Sequence, residues 1–170
     1  MLGFYHCQRL SQGPAGGVGY LRGALEERIR VRNLSRYVRM VGFIPEDKLP
    51  LYYQSADLFI MPTAELEGFG LSTIEALSCG TPVIATPVGA NPEVVGPLGP
   101  EHLTKDCTPQ ALAERISEWL IRGVSSEIRK RCRAYCISRF AIESVVGALE
   151  QVLDEASKDH SPRCRRDQAC

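Results

Sequence analysis

Two short apolar runs, Leu58-Phe59-Ile60-Met61 and Val83-Ile84-Ala85, stand on either side of a helical segment near 72–79. Each is too short for a buried helix. Bounded by Pro62 and by Gly80-Thr81-Pro82, they read as strands covered on both faces. The expected strands are Asp57–Pro62 and Thr81–Thr86, with a helix from about Ser72 to Cys79 between them. Neighbouring strands joined through a helix run parallel, so this stretch predicts a parallel sheet with helices packed on it.

The alternation extends in both directions. Leu21 to about Asn33 is amphipathic, with Leu21, Leu25, Ile29 and Val31 expected inward and Glu26, Glu27, Arg28 and Arg30 outward. Val38–Phe43 reads as a strand, and a short helix is expected from Pro45 through Leu51, Tyr52, Tyr53 and Ala56. Downstream, Asn91-Pro92-Glu93 predicts a one-turn helix capped by Asn91. Leu98–Lys105 is a loop or short strand. Thr108-Pro109 opens a clear helix through Leu112, Ile116, Trp119 and Leu120, closed by Gly123. Helices follow over about 125–138 and 141–157, and a polar, basic tail expected to be disordered covers 158–170. The fold class is α/β, a Rossmann-like parallel sheet flanked by helices, with one domain over 1–157.

The start of the chain is harder to read. Leu2–Tyr5 fits a short strand, and Gly13-Pro14-Ala15-Gly16-Gly17-Val18-Gly19 is a loop by composition. Gly17-x-Gly19 invites comparison with a dinucleotide fingerprint, but Arg22 stands where the third glycine belongs.

Charge and cysteines bound the partners. Lys plus Arg and Asp plus Glu are 20 each, so net charge gives no reason to expect nucleic acid. No apolar run approaches the roughly 18 residues of a spanning helix, and the first residues lack the pattern of a signal peptide. Seven cysteines, an odd count with no Cys-x-x-Cys, fit free thiols in a reducing, cytoplasmic setting, at most peripheral to a membrane. Cys132 and Cys136 share a helix face, but no further ligand stands at a metal-site spacing.

The chemistry concentrates in Glu67-Gly68-Phe69-Gly70-Leu71-Ser72-Thr73-Ile74-Glu75. Two carboxylates bracket a strand-to-helix loop containing two glycines. Ligands of open α/β sheets bind outside the carboxyl ends of the strands, and free N–H groups at a helix start favour anions. On the local pattern alone, Ser72-Thr73-Ile74-Glu75 fits a capping box, with Glu75 folded back on the Ser72 N–H.

The segment from Tyr52 to Pro62, then Glu67 to Leu77, then Ser78-Cys79-Gly80-Thr81-Pro82-Val83-Ile84-Ala85-Thr86, resembles the C-terminal half of family 4 retaining glycosyltransferases of the GT-B fold. Their signature is two glutamates separated by seven residues, here Glu67 and Glu75. The resemblance implies a single GT-B lobe that binds a nucleotide-sugar donor, such as a UDP- or GDP-sugar. It implies that Glu67 is the catalytic-site acid beside the donor sugar. The Gly68–Ser72 backbone, with N–H groups at Phe69, Gly70 and Leu71, would meet the sugar and diphosphate. Glu75 would take the ribose, and the backbone at Phe43 and Ile44 the base. No metal is expected.

The chain departs from the pattern in two respects. The resemblance reaches no N-terminal, acceptor-binding lobe, which is expected to be missing here, and no arginine–lysine pair for clamping the diphosphate precedes Glu67; Arg9 and Arg22 are poor substitutes. Ser11-Gln12-Gly13-Pro14 only roughly matches the family's glycine–proline loop. The expectation is a donor-binding lobe that binds weakly and does not turn over by itself, with a degenerate, non-catalytic partner subunit as the alternative.

Overall fold

A computed structural model describes residues 2–5, 13–16, 21–65 and 67–159. The chain divides into two compact units, Met1–Cys136 and Ile137–Cys170.

The first unit is built on a five-stranded sheet. Its strands are β1 (Leu2–Tyr5), β2 (Gly13–Gly16), β3 (Val38–Gly42), β4 (Leu58–Met61) and β5 (Val83–Ala85), in the order β3-β2-β1-β4-β5. That is the order of the doubly wound α/β sheet. The pairs β2–β3 and β4–β5 are parallel, whereas β1 is antiparallel to both β2 and β4. Four strands therefore run in one direction and β1 in the other. The link over residues 6–12 is too short for the crossover that parallel neighbours need, which takes about a dozen residues or more. Gly13–Gly16, expected as a loop from its glycines and proline, is held as a strand by pairing on both sides.

The remaining elements follow from local sequence. Helices α1 (Arg22–Val31), α2 (Leu49–Ser55), α3 (Leu71–Ser78), α4 (Asn91–Val95) and α5 (Pro109–Arg122) precede α6 (Ser126–Phe140), which runs across the division between the units. Two tight 3₁₀ turns, Gly96–Leu98 and Pro100–His102, replace the loop or strand expected after Leu98. In α3 the buried residues Thr73, Ala76 and Leu77 recur at helical spacing. The helix ends in a paired motif: Gly80 N–H donates to Leu77 O, and Thr81 N–H to Ala76 O. Gly80 supplies the left-handed backbone (φ +78°) that this ending requires. Thr108 caps α5, its hydroxyl accepting from Ala111 N–H, and Gly123 follows the last turn.

Every residue of β4 and β5 is buried. On one face Leu58, Ile60 and Ile84 pack with Trp119 of α5. On the other, Phe59 meets Tyr53 edge-to-face, ring centroids 5.4 Å apart. The opposite end of the sheet is thinner. Helix α1 buries none of its residues, Leu25 and Ile29 are half-buried, and Leu21 and Val31, expected inward, are exposed. His102 is buried against Trp119, its Nδ1 2.8 Å from Val83 O. Cys132 and Cys136 are buried free thiols, and burial pushes the Cys132 thiol up to about 11.

In the second unit, α7 (Ile142–Asp159) carries an exposed apolar stripe that includes Ile142, Val145, Leu149 and Val152. The tail beyond Asp159 lies outside the described residues, as does the Gly17–Gly19 comparison. No described helix is long and apolar enough to cross a membrane.

Candidate functional site

β3, β4 and β5 run in the same direction, so the segments that follow them, 43–48, 62–70 and 86–90, share one edge of the sheet. All nine residues singled out in the sequence lie on this edge. Glu67, Gly68, Phe69 and Gly70 lead into α3, Leu71 and Ser72 open it, and Glu75 stands one turn further on. Phe43 and Ile44 follow β3. Since β2 and β1 intervene between β3 and β4, the two groups are three strand spacings apart, roughly 14 Å. A single small anion cannot span that distance; an extended ligand can.

Gly70 is the N-cap residue of α3. Thr73 and Ile74 N–H both donate to its carbonyl. Leu71 and Ser72 then carry the helix-start N–H groups that have no earlier carbonyl of the helix to bond. Leu71 and Phe69 side chains are exposed, as is Phe43. The site is thus an edge of backbone donors with apolar side chains around it.

Each carboxylate is held by one hydroxyl. Thr63 Oγ1 donates to Glu67 Oε2 at 2.8 Å. Behind it, Thr86 Oγ1 donates to Thr63 O at 2.6 Å, and Asn91 Nδ2 to Thr86 O at 3.0 Å. On the other side, Tyr53 OH donates to Glu75 Oε2 at 2.9 Å. Burial first, and then the Glu75 carboxylate, hold the Tyr53 phenol well above its ordinary range, so it remains a donor. This arrangement overturns the capping box. The helix begins at Leu71, which makes Ser72 its second residue, and the Glu75 carboxylate accepts from Tyr53 instead. Asn91 likewise does not cap α4. Ala90 precedes the helix, and the Asn91 side chain turns to Thr86.

Gly89 fixes the loop from behind. A Cβ there would lie 2.0 Å from Glu67 O, and its φ is +56°. Only a residue without a side chain lets the β5–α4 turn lie this close to the Glu67 backbone. Ala90 N–H donates to Gly68 O at 3.4 Å in the same contact. Beneath Gly70, Thr73 Oγ1 and Asn91 Oδ1 are buried without a hydrogen-bond partner among the described residues. Arg22 also reaches this edge: its guanidinium lies 2.8 Å from where a Gly42 Cβ would be, while bonded to Glu26 at 2.8 Å.

Sequence reasoning missed Tyr53, Thr63, Thr86 and Gly89. Their partners are set by tertiary contact, and only the Thr63–Glu67 separation of four residues was local enough to suggest a pairing. Elsewhere, an open cavity of about 410 Å³ is lined by Arg122, Ser125, Ile128 and Arg131, none from the three loops. Both of its arginines are already bound to Glu101. No group of three or more metal-ligating side chains is present among the described residues.

Residues 17–161 match the family model of glycosyl transferases group 1. The chain belongs to that family. It is 44% identical over 63 residues to the O-antigen chain mannosyltransferase B of Escherichia coli, a match that covers 37% of this chain and 16% of that protein. Across several curated relatives the chain spans only 16% to 32% of their length. Among solved structures, Anabaena HepE in complex with UDP superposes with a TM-score of 0.71 at 24% identity, over 89% of this chain and 42% of that one. The C-terminal domain of a group 1 glycosyl transferase from Francisella tularensis superposes with a TM-score of 0.61 at 18% identity, over 82% of this chain and 96% of that domain. At these identities the likeness is one of fold, and it is the GT-B fold.

Proposed function

We infer that this chain is the C-terminal, donor-binding lobe of a family 4 retaining glycosyltransferase. It would hold a nucleotide sugar across the edge formed by 43–48, 62–70 and 86–90. The observation that carries this reading is the pair of hydroxyl-anchored carboxylates on either side of the α3 start. Glu67 is assigned to the donor sugar as the catalytic-site acid. Glu75 accepts the ribose hydroxyls, and the Gly68–Ser72 backbone receives the diphosphate. Phe43 and Ile44 present backbone to the base.

The chemistry suits these groups. Loss of a nucleoside diphosphate builds negative charge on phosphate oxygens. N–H groups already aimed from a helix start stabilise that charge without reorganising. An ionised carboxylate is acceptor-only, as recognition of a diol or of sugar hydroxyls demands. HepE binds UDP on the same fold, which supports a UDP-type donor here. Transfer to an acceptor requires an acceptor-binding lobe in addition to these residues.

A second reading is a non-catalytic binding or partner module. It is favoured by the absence of any Lys or Arg from 62–70 and 86–90, where a diphosphate would gain most from a cation.

The test is an NMR titration of the ¹⁵N-labelled chain with UDP, GDP and ADP. At least one should bind weakly, with shifts at Gly68–Ser72, and Glu75→Ala should weaken it by about tenfold. If none binds at millimolar concentration, the donor-lobe reading is wrong. Adding an acceptor-binding lobe and assaying sugar transfer separates enzyme from non-catalytic module.

A further inference from the structure

We propose that Tyr53 is a positioning residue for nucleotide recognition: its buried phenol orients the Glu75 carboxylate for the ribose hydroxyls. The inference rests on the donor-lobe reading above and adds to it the residue that makes Glu75 selective. Tyr53 itself is 1% exposed and cannot touch a ligand.

Glu75 is an exposed residue on α3, and packing does not set its side chain. The bond from Tyr53 is what fixes it. Its backbone carbonyl accepts from Ser78 Oγ and Cys79 N–H, which anchors the helix but not the carboxylate. Tyr53, by contrast, is rigid. Its ring stands edge-to-face on Phe59 at 71°, and its carbonyl accepts from Thr81 Oγ1 at 2.5 Å. A fixed donor in the core thus reaches an acceptor on an exposed side chain, 22 residues away in sequence.

The consequence for binding is geometric. A carboxylate has about four lone-pair sites. Tyr53 takes one on Oε2, and Oε1 has no partner among the described residues. The carboxylate is therefore held in one orientation before ligand arrives, and the ordering cost of receiving a vicinal diol is already met. The bond is charge-assisted and half-shielded from water, so it is among the stronger kinds of hydrogen bond.

Tyr53→Phe keeps the ring and its contact with Phe59 and deletes only the donor. The whole chain is titrated with whichever of UDP, GDP and ADP the wild type binds, and with the 2′,3′-dideoxy form of the same diphosphate. The expected result is a roughly fivefold to tenfold loss of affinity for the ribose form, with the dideoxy form unchanged. In a Glu75→Gln background the same substitution should add little, because the two side chains act as one unit. A melting curve of Tyr53→Phe monitors folding separately from selectivity. Equal affinity of wild type and Tyr53→Phe for the ribose form overturns the proposal. So does an equal loss for both forms, which would mark Tyr53 as structural only. Either of these leaves the donor-lobe reading intact. Failure of the wild type to bind any of the three diphosphates removes that reading, and the role of Tyr53 with it.

Discussion

The two ends of the sheet are built to different densities. At one, β4 and β5 are buried at every residue, between Trp119 on one face and Tyr53 on the other. At the other, α1 covers β3 without burying a single residue of its own. The candidate site inherits this difference. Glu67, Glu75 and the α3 start stand on the dense end, Glu67 tied by a hydrogen bond to Thr63 beyond β4, Glu75 to Tyr53 of α2, and Gly68 to Ala90 beyond β5. Phe43 and Ile44 stand on the thin one, and Phe43 is 73% exposed. On the proposed donor-lobe function, the groups that meet sugar, ribose and phosphate stand where the backbone cannot yield, while the proposed main-chain contact to the base tolerates more movement.

Substitutions can break this contrast. The largest effect is expected from Trp119→Ala, which empties the space beside Leu58, Ile60 and Ile84 and strips Glu101 O of its indole donor. It should cost about 3–5 kcal/mol in chemical denaturation. Next is Gly89→Ala. Left-handed backbone alone costs an L-residue about 1–2 kcal/mol, and the new methyl collides with Glu67 O. The Glu67 loop must move, so binding of a nucleoside diphosphate should fall along with the melting temperature. A variant that melts earlier but binds normally would show that the loop is not gripped as described. The smallest effect is expected from Ile29→Ala at the thin end, about 1 kcal/mol for a half-buried side chain. A loss there as large as that of Trp119→Ala would erase the distinction between the two ends.

What could be read in the sequence divides along similar lines. Thr108-Pro109 and Gly123 mark the ends of α5 by local chemistry, and both act as expected. Leu58–Met61 and Val83–Ala85 declare buried strands because nothing else accommodates such runs. The spacing of Glu67 and Glu75 pointed to the edge where the candidate site is proposed. The failures involve contacts that the fold decides and the local pattern does not show. Ser72 looked like a cap because its side chain suits one, yet Gly70 precedes the helix and Tyr53 engages Glu75. Asn91 looked like a cap for the same reason and serves Thr86. Val31 and Leu21 have the period of an inward face, yet no described element buries them. Gly13–Gly16 has loop composition and becomes a strand only through its neighbours β1 and β3.

The part of the dense end that carries the two glutamates is also compact along the chain. From Tyr53 to Asn91 a single stretch supplies β4, α3, β5 and, among the described residues, the side chains that grip the two glutamates. Closing short loops costs little chain entropy, and local topology favours rapid assembly. In kinetic language, this stretch has what an early folding unit needs, so the geometry of the site should be set before the strands nearer the start of the chain are paired.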